Sequence, residues 1–101
     1  MKVRQKTDAV GFILREIRNE KGLSQEEVGE RIQTDRAYVA YLETGRRYPS
    51  VDMLIALAKA LEVTPGHLLD RISAHIDSGK ARLLPQRQSG PKKTVQSLDT
   101  L

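Results

Sequence analysis

The stretch from Ser24 to Gly45, SQEEVGERIQTDRAYVAYLETG, contains two helix starts eleven residues apart, at Ser24 and Asp35. Both residue types favour the N-cap position because a side-chain oxygen accepts a hydrogen bond from a free amide of the first turn. Glu27 follows Ser24 by three residues, which completes a capping box. Apolar residues at helical spacing follow each cap, so the stretch predicts two short helices in succession.

The link between these two helices is short. Only Gln33 and Thr34 separate them, so the second helix must cross the first steeply. This is the plan of a helix-turn-helix, predicted here over 24–43, whose second helix can lie in the major groove of double-stranded DNA. Gly29 stands in the middle of the first helix, where Gly costs about 1 kcal/mol relative to Ala. We expect the second helix to cross at this small residue.

Three more helices are predicted around the motif, over about 8–21, 51–61 and 65–77. Each begins at residue types that favour a helix start, which are Thr7 or Asp8, Ser50, and Thr64 before Pro65. The fold class is therefore all-α: a compact five-helix domain at 8–77, preceded by a basic arm at 1–7. Residues 78–101 contain Pro, Gly, Ser and Gln without a helical or strand period, which predicts a flexible, disordered basic tail.

Composition excludes several classes of protein. The 101 residues fit one domain, and the absence of Cys rules out disulfides and thiolate metal sites. No apolar run approaches the roughly 20 residues that span a bilayer, so we expect a cytoplasmic protein without a membrane partner. The net charge is +4, but residues 1–77 are neutral and the whole excess lies in 78–101. Any nucleic-acid binding by the folded part must therefore come from the placement of its charges.

The sequence contains no recognisable catalytic or metal-binding pattern. His67 and His75 are eight residues apart, about two helical turns, and no Cys or clustered carboxylate joins them. The sequence contains neither a Gly-rich phosphate loop nor a nucleophile–base pair. We expect no enzymatic activity, no cofactor and no metal site.

The predicted helix after Asp35 has one face suited to DNA. If Val39 and Leu42 point inward, the outward residues are Arg36, Ala37, Ala40 and Tyr41. Arg36 can donate two hydrogen bonds to O6 and N7 of guanine, and the two Ala side chains can touch thymine methyl groups. Two Ala and one Tyr give this face fewer charged residues than an ordinary solvent-exposed surface has.

Four further residues are predicted to contact the DNA backbone. Gln25 lies in the first turn of a predicted helix, where free amides favour an anion. Arg46 and Arg47 directly follow the predicted DNA-reading helix and would supply affinity through counterion release. Tyr38 is expected to lie half in the core, with its hydroxyl available as a phosphate donor.

The segment from about Val10 to Leu69 resembles the Cro/C1-type (XRE) helix-turn-helix family, the lambda-repressor-like DNA-binding domain. The resemblance is carried by Leu14-Arg15-x-Ile17-Arg18, Gly22-Leu23-Ser24-Gln25-Glu26-Glu27-Val28, Tyr38-Val39-x-x-Leu42-Glu43-x-Gly45, Arg46-Arg47-x-Pro49-Ser50 and Leu54-x-x-Leu57-Ala58-Lys59-Ala60-Leu61-x-Val63. It implies a compact five-helix domain that binds a pseudo-palindromic DNA site as a homodimer. Members often have Gly where this sequence has Gln33 or Glu62, so Gln33 is expected to adopt positive φ.

The resemblance also implies a partly buried salt bridge between Arg18 and Glu43 that fixes the first helix against the third. A dimer surface is expected around the apolar stripe of the fifth helix. Its candidate residues are Ile72, Ile76, Ile55 and Phe12. Two alternatives stay open at this point, because Ile72 can instead close the monomer core and Phe12 can instead support the tail.

These observations predict a sequence-specific, dimeric regulator of transcription that binds double-stranded DNA. One alternative is an antitoxin whose tail at 78–101 binds a toxin protein, because a flexible segment can fold on a partner. A restriction–modification controller protein, another small member of the resembled family, is the second alternative.

Overall fold

The structure is a computed structural model that describes residues 6–85. Five α-helices follow one another in it: α1 (Ala9–Glu20), α2 (Gln25–Arg31), α3 (Arg36–Thr44), α4 (Val51–Ala60) and α5 (Pro65–Asp77). The only extended pairing among these residues is a single antiparallel bridge between Thr7 and Leu83. The predicted all-α fold with five helices is confirmed, and no helix in 6–85 is long and apolar enough to cross a membrane.

The core lies where α1 meets α3 and α5, and α2 and α4 close it from the remaining sides. Its largest fully buried side chains are Ile17, Leu42, Leu57, Leu61, Leu68 and Val28. Burying each such side chain contributes about 1.5–3 kcal/mol. All five helices therefore depend on one shared core, and α3 is held by α1 and α2 rather than by its own length.

The helix starts predicted within the motif are confirmed. The backbone amide of Glu27 donates to Ser24 Oγ at 3.0 Å, and the Ser24 amide donates to Glu27 Oε1 at 2.7 Å. The hydrogen bond from the Ser24 amide to the Glu27 carboxylate lowers the pKa of Glu27. Asp35 Oδ1 accepts from the Tyr38 amide at 2.9 Å. Both helices of the motif are thus fixed at their first residues by side-chain hydrogen bonds.

Close backbone approaches set the position of α3. A Cβ added to Gly29 would lie 2.9 Å from the backbone of Asp35, so the helix does cross at this small residue. A Cβ added to Gly11 of α1 would lie 2.5 Å from the carbonyl oxygens of Leu42 and Glu43. Gln33 has φ 62°, as expected where the turn requires the left-handed region. Sequence reasoning found the Gly29 contact and missed the one at Gly11.

The apolar residues of α4 and α5 differ in burial. Val51 and Leu69 are 72% and 50% exposed, whereas Ile72 is only 6% exposed. Val51 is the first residue of α4, and Leu69 lies about 100° round α5 from the buried Leu68. Ile72 follows Leu68 by one turn and shares its buried face, so Ile72 is a core residue and not a dimer contact.

The two ends of the described chain are paired, which the prediction of a disordered tail from residue 78 did not include. The Asp8 amide donates to the Arg82 carbonyl at 2.8 Å, and the Leu84 amide donates to the Lys6 carbonyl at 2.9 Å. The Arg82 amide donates to Asp8 Oδ1 at 2.8 Å, and Thr7 Oγ1 accepts from the Ala9 amide at the start of α1. We call the segments 6–8 and 82–84 together the terminal clasp. The predicted arm at 1–5 and tail at 86–101 lie outside the described residues.

Candidate nucleic-acid interface

The outward face of α3 has the composition predicted for it. Val39 and Leu42 are buried and anchor the helix to the core. Arg36 and Ala37 are exposed, and Ala40 and Tyr41 are half-buried. Because the anchored face and the outward face lie on opposite sides of one short helix, the core fixes the direction in which Arg36 projects.

Tyr41 and Arg46 form one unit at the end of this face. The Arg46 guanidinium lies 4.7 Å from the centre of the Tyr41 ring. The backbone amides of Arg46 and Arg47 both donate to the Tyr41 carbonyl, at 2.9 and 3.1 Å. The chain can turn back toward the Tyr41 carbonyl because Gly45 adopts a left-handed backbone conformation with φ 82°. Tyr41, predicted as an outward DNA contact, also supports the guanidinium that follows it, an interaction worth about 0.5–1 kcal/mol at an exposed site.

Arg18 and Glu43 form the ion pair that the resemblance implied. Arg18 Nε donates to Glu43 Oε2 at 2.6 Å, and Arg18 Nη2 donates to Glu43 Oε1 at 3.1 Å. Their side chains are only 12% and 4% exposed. Arg18 Nη1 also donates to the Leu23 carbonyl at 2.8 Å. This paired guanidinium therefore joins α1, the loop before α2 and the last turn of α3.

Gln25 belongs to the same network. Its amide nitrogen donates to Glu43 Oε1 at 3.0 Å, so the side chain predicted to bind a phosphate is held by α3. A carboxamide nitrogen carries two hydrogens, and this bond uses one of them. The second hydrogen gives Gln25 a donor whose position is set by the buried ion pair.

Tyr38 and the loop after α3 complete the predicted set. Tyr38 is half-buried and packs against the core, as expected for its ring. Arg46 and Arg47 are exposed. Tyr48 donates its hydroxyl to the Thr7 carbonyl at 3.3 Å, and its partial burial raises its pKa. The predicted contacts at Gln25, Arg36 and the two loop arginines thus lie on α2, on α3 and immediately after α3.

The remaining dimer candidates, Phe12, Ile55 and Ile76, are all exposed. Phe12 of α1 stacks on His75 of α5, with ring centroids 4.4 Å apart and planes inclined by 12°. Ile76 lies about 100° round α5 from His75, so Phe12 and Ile76 are on different sides of that helix. Ile55 is exposed on α4, which packs against α5. Ile55 and Ile76 stay candidates for a shared surface.

An ion-pair cluster between α1 and α5 was not predicted. Arg71 donates to Glu16 Oε1 at 2.7 Å and to the two carboxylate oxygens of Glu20 at 2.8 and 2.9 Å. The hydrogen bond from Arg71 lowers the pKa of Glu20 and raises that of Arg71. The sequence shows that Glu16 and Glu20 lie one helical turn apart, but it does not show which helix faces them. Among residues 6–85, no three His, Asp or Glu side chains are grouped so as to hold a metal ion.

The geometry defines a helix-turn-helix domain of the DNA-binding class, and comparison with known proteins gives its family. Residues 14–68 match the helix-turn-helix family model, and the chain belongs to the Cro/C1-type helix-turn-helix family of DNA-binding transcriptional regulators. It is 47% identical over 55 residues to the uncharacterized HTH-type transcriptional regulator y4dJ of Sinorhizobium fredii. That alignment covers 54% of this chain and 71% of the relative.

Two solved structures are similar in fold. The restriction-modification controller protein C.AhdI from Aeromonas hydrophila is 42% identical, with a TM-score of 0.56, over 58% of this chain and 86% of that one. The nucleoprotein complex of C.Esp1396I contains a chain that is 29% identical, with a TM-score of 0.64. That match covers 68% of this chain and 90% of the other.

Proposed function

We propose that this protein regulates transcription by binding specific double-stranded DNA sequences, with α3 in the major groove. The observation that carries the proposal is the exposed Arg36 on a helix whose opposite face is anchored by Val39 and Leu42. Arg can pair with guanine O6 and N7, and Ala37 leaves room for close approach to neighbouring bases. The similarity to a chain described in a nucleoprotein complex supports the same conclusion.

The backbone contacts in this proposal come from Gln25, Arg46 and Arg47. Gln25 has one amide hydrogen left after its bond to Glu43, and the two arginines are exposed beside the end of α3. Contacts to phosphate position a protein on DNA without reading its sequence. They supply the affinity that a neutral folded part otherwise lacks.

Selection from a random DNA pool tests the proposal. The wild-type chain is expected to yield a consensus with guanine at a fixed position, and Arg36→Ala to lose preference at that position alone. Arg47→Ala is expected to weaken binding to all sequences alike and to reduce the slope of log K against log salt by about 0.9 for each bound subunit. Lys59→Gln, an exposed change on α4, is the control for lost charge. A pool that yields no consensus would exclude sequence-specific regulation.

The proposed homodimer rests on exposed apolar residues of α4 and α5. Val51 and Ile55 are one turn apart on α4, and Leu69 and Ile76 are two turns apart on α5. Each pair therefore lies on one side of its helix, and all four residues are exposed. A second copy that covers these stripes would remove apolar area from water and place two α3 helices on one duplex.

Light scattering on the full chain tests the dimer. The wild type is expected to be dimeric at micromolar concentration, and Leu69→Glu to be monomeric because it buries an unpaired charge at the interface. Ala74→Glu places the same charge on an exposed position of α5 away from Leu69 and is expected to stay dimeric. A strictly monomeric wild type contradicts the proposal.

A restriction–modification controller is the second candidate, favoured by the 42% identity to C.AhdI. Both candidates use the same DNA interface and differ in the genes they control. Mapping bound sites on the source genome separates them, because a controller is expected beside genes for a restriction enzyme and its methyltransferase. The antitoxin alternative stays a prediction about the tail, of which residues 82–84 are already paired with 6–8.

A further inference from the structure

The terminal clasp contacts the loop that follows α3. A Cβ on Gly45, the C-cap of α3, would lie 2.8 Å from Cδ2 of Leu84, so the Leu84 side chain covers the end of that helix. The Lys6 ammonium lies 4.7 Å from the centre of the Tyr48 ring. Tyr48 also donates its hydroxyl to the Thr7 carbonyl. Both segments of the terminal clasp are therefore fixed beside Arg46 and Arg47, although they come from opposite ends of the chain.

The pairing also sets the direction of the basic side chains in the clasp. Lys6 lies opposite Leu84 across the bridge between Thr7 and Leu83, and residues that face each other in an antiparallel pair share one side of it. Arg82 is two residues from Leu84, so if the extended pairing holds on both sides of the bridge, we expect its side chain to lie on the same side as that of Leu84. The carboxylate of Asp8 accepts from the Arg82 amide at 2.8 Å. On this pairing, the side that faces the loop after α3 carries Lys6 and Arg82 together with the carboxylate of Asp8.

We propose that the terminal clasp is a second DNA-backbone contact, at which Lys6 and Arg82 bind phosphates that flank the bases read by α3. The proposal rests on the proposed function, and it adds residues from both chain ends to the interface. Four exposed cations, Lys6, Arg46, Arg47 and Arg82, lie on or beside the clasp. Exposed cations beside a DNA-reading helix can bind the phosphates of the flanking backbone.

Arg82→Gln tests the contact without breaking the clasp, because the pairing bonds of Arg82 are made by its backbone amide and carbonyl. Lys59→Gln is the matched control with the same loss of charge on α4. Binding of the full chains is measured against salt concentration, on a duplex that extends about one helical turn beyond the selected site. Arg82→Gln is expected to make the slope of log K against log salt shallower by about 0.9 for each clasp in the complex, because one phosphate contact is lost. Lys59→Gln is expected to leave the slope unchanged. Equal slopes for the two variants overturn the proposal.

Two further arms locate the contact. On a duplex trimmed to the base pairs that α3 reads, the difference between wild type and Arg82→Gln is expected to disappear, and its persistence places the contact elsewhere. Leu84→Ala removes the packing on Gly45, and its loss of affinity is expected to overlap with that of Arg82→Gln. Strict additivity in the double variant would show that the clasp does not position Arg82, and thermal melting confirms that each variant is folded.

Failure of this proposal is distinct from failure of the proposed function. If the wild type selects a consensus while Arg82→Gln and Lys59→Gln behave alike, only the clasp contact is wrong. If the wild type selects no consensus, sequence-specific regulation is wrong. The salt slopes still decide the clasp contact on unselected duplex in that case, because backbone contacts do not depend on sequence.

Discussion

Two arginine–glutamate clusters hold α1 in place, and they differ in burial rather than in chemistry. Arg18 pairs with Glu43 of α3 where the side chains are 12% and 4% exposed. Arg71 of α5 pairs with Glu16 and Glu20, whose side chains are 43% and 51% exposed. Water can solvate the second cluster when one partner is lost, but it has little access to the first. Similar bonds therefore have unequal consequences for the fold.

The buried pair also touches a predicted DNA contact, which the exposed cluster does not. Glu43 Oε1 accepts from both Arg18 and Gln25, so the pair joins the last turn of α3 to a predicted phosphate contact. Arg71 and its partners connect α1 with α5 and touch none of the predicted DNA contacts. We therefore expect changes at Glu43 to affect stability and DNA binding together, and changes at Arg71 to affect stability alone.

The largest effect is expected from Glu43→Gln. Removing the carboxylate charge leaves the Arg18 guanidinium buried without a counter-charge, which costs about 3 kcal/mol of unfolding free energy. Thermal denaturation should show the melting temperature falling by more than about 10 °C. The double change Arg18→Met with Glu43→Leu removes both charges and should recover most of that loss. An unchanged melting temperature for Glu43→Gln would show that the pair does not fix α1 against α3.

Gly11→Ala is expected to have the next largest effect, because it disturbs the same contact between α1 and α3. The new Cβ would lie 2.5 Å from backbone oxygens of α3, which cannot yield as a flexible side chain would. The free energy of unfolding should fall by about 1–3 kcal/mol. Gly66→Ala is the control, since its Cβ meets nothing within 4 Å, and it should leave stability unchanged or raise it. Equal effects of the two substitutions would contradict the close approach.

Arg71→Met is expected to have a small effect. The exposed ion pairs are weak in water, so the melting temperature should change by about 4 °C or less, and less still at high salt. DNA affinity should be unchanged, which separates this cluster from the pair at Glu43. A loss as large as that of Glu43→Gln would mean that burial does not distinguish the two clusters.

The contribution of Arg71 should also depend on pH. Arg71 lowers the pKa of Glu20 in the folded chain below its ordinary 4.5. A lowered folded pKa stabilises the fold above the unfolded pKa, and this contribution is lost as the pH falls through the folded value. The stability difference between wild type and Arg71→Met should therefore be constant near neutral pH and shrink below about pH 4.5. Urea denaturation across pH 3–7 measures it, and a difference that grows in acid would contradict the assignment.

The sequence predicted those features that depend on short-range spacing. The capping box at Ser24, the Asp35 cap and the crossing at Gly29 all lie within the motif, where residues a few positions apart decide the geometry. The sites at Gln25 and Arg36 were proposed from the same local patterns. They stay predictions about DNA, although Gln25 proved to have a bond to Glu43 that no pattern indicated.

The features that were missed depend on how distant segments meet. Gly11 matters because α3 ends against α1, and Arg71 finds its partners because α5 lies beside α1. Helical periodicity tells which side of a helix is apolar but not which neighbour it meets. The pairing of Thr7 with Leu83 joins residues that have no sequence signal in common. Residues 82–84 were therefore predicted as part of a disordered tail, and Lys6 and Thr7 as part of a basic arm.

We propose above all that α3 reads guanine in the major groove through Arg36, which the buried contacts behind α3 hold in place. The direct test replaces the selected guanine by 7-deazaguanine, which lacks the N7 acceptor in that groove and leaves base pairing intact. Wild-type affinity should fall, by part of the about 1–3 kcal/mol that a bidentate arginine–guanine pair contributes. The Arg36→Ala variant should bind both duplexes equally. Equal losses for the two proteins, or no loss for either, would contradict the claim.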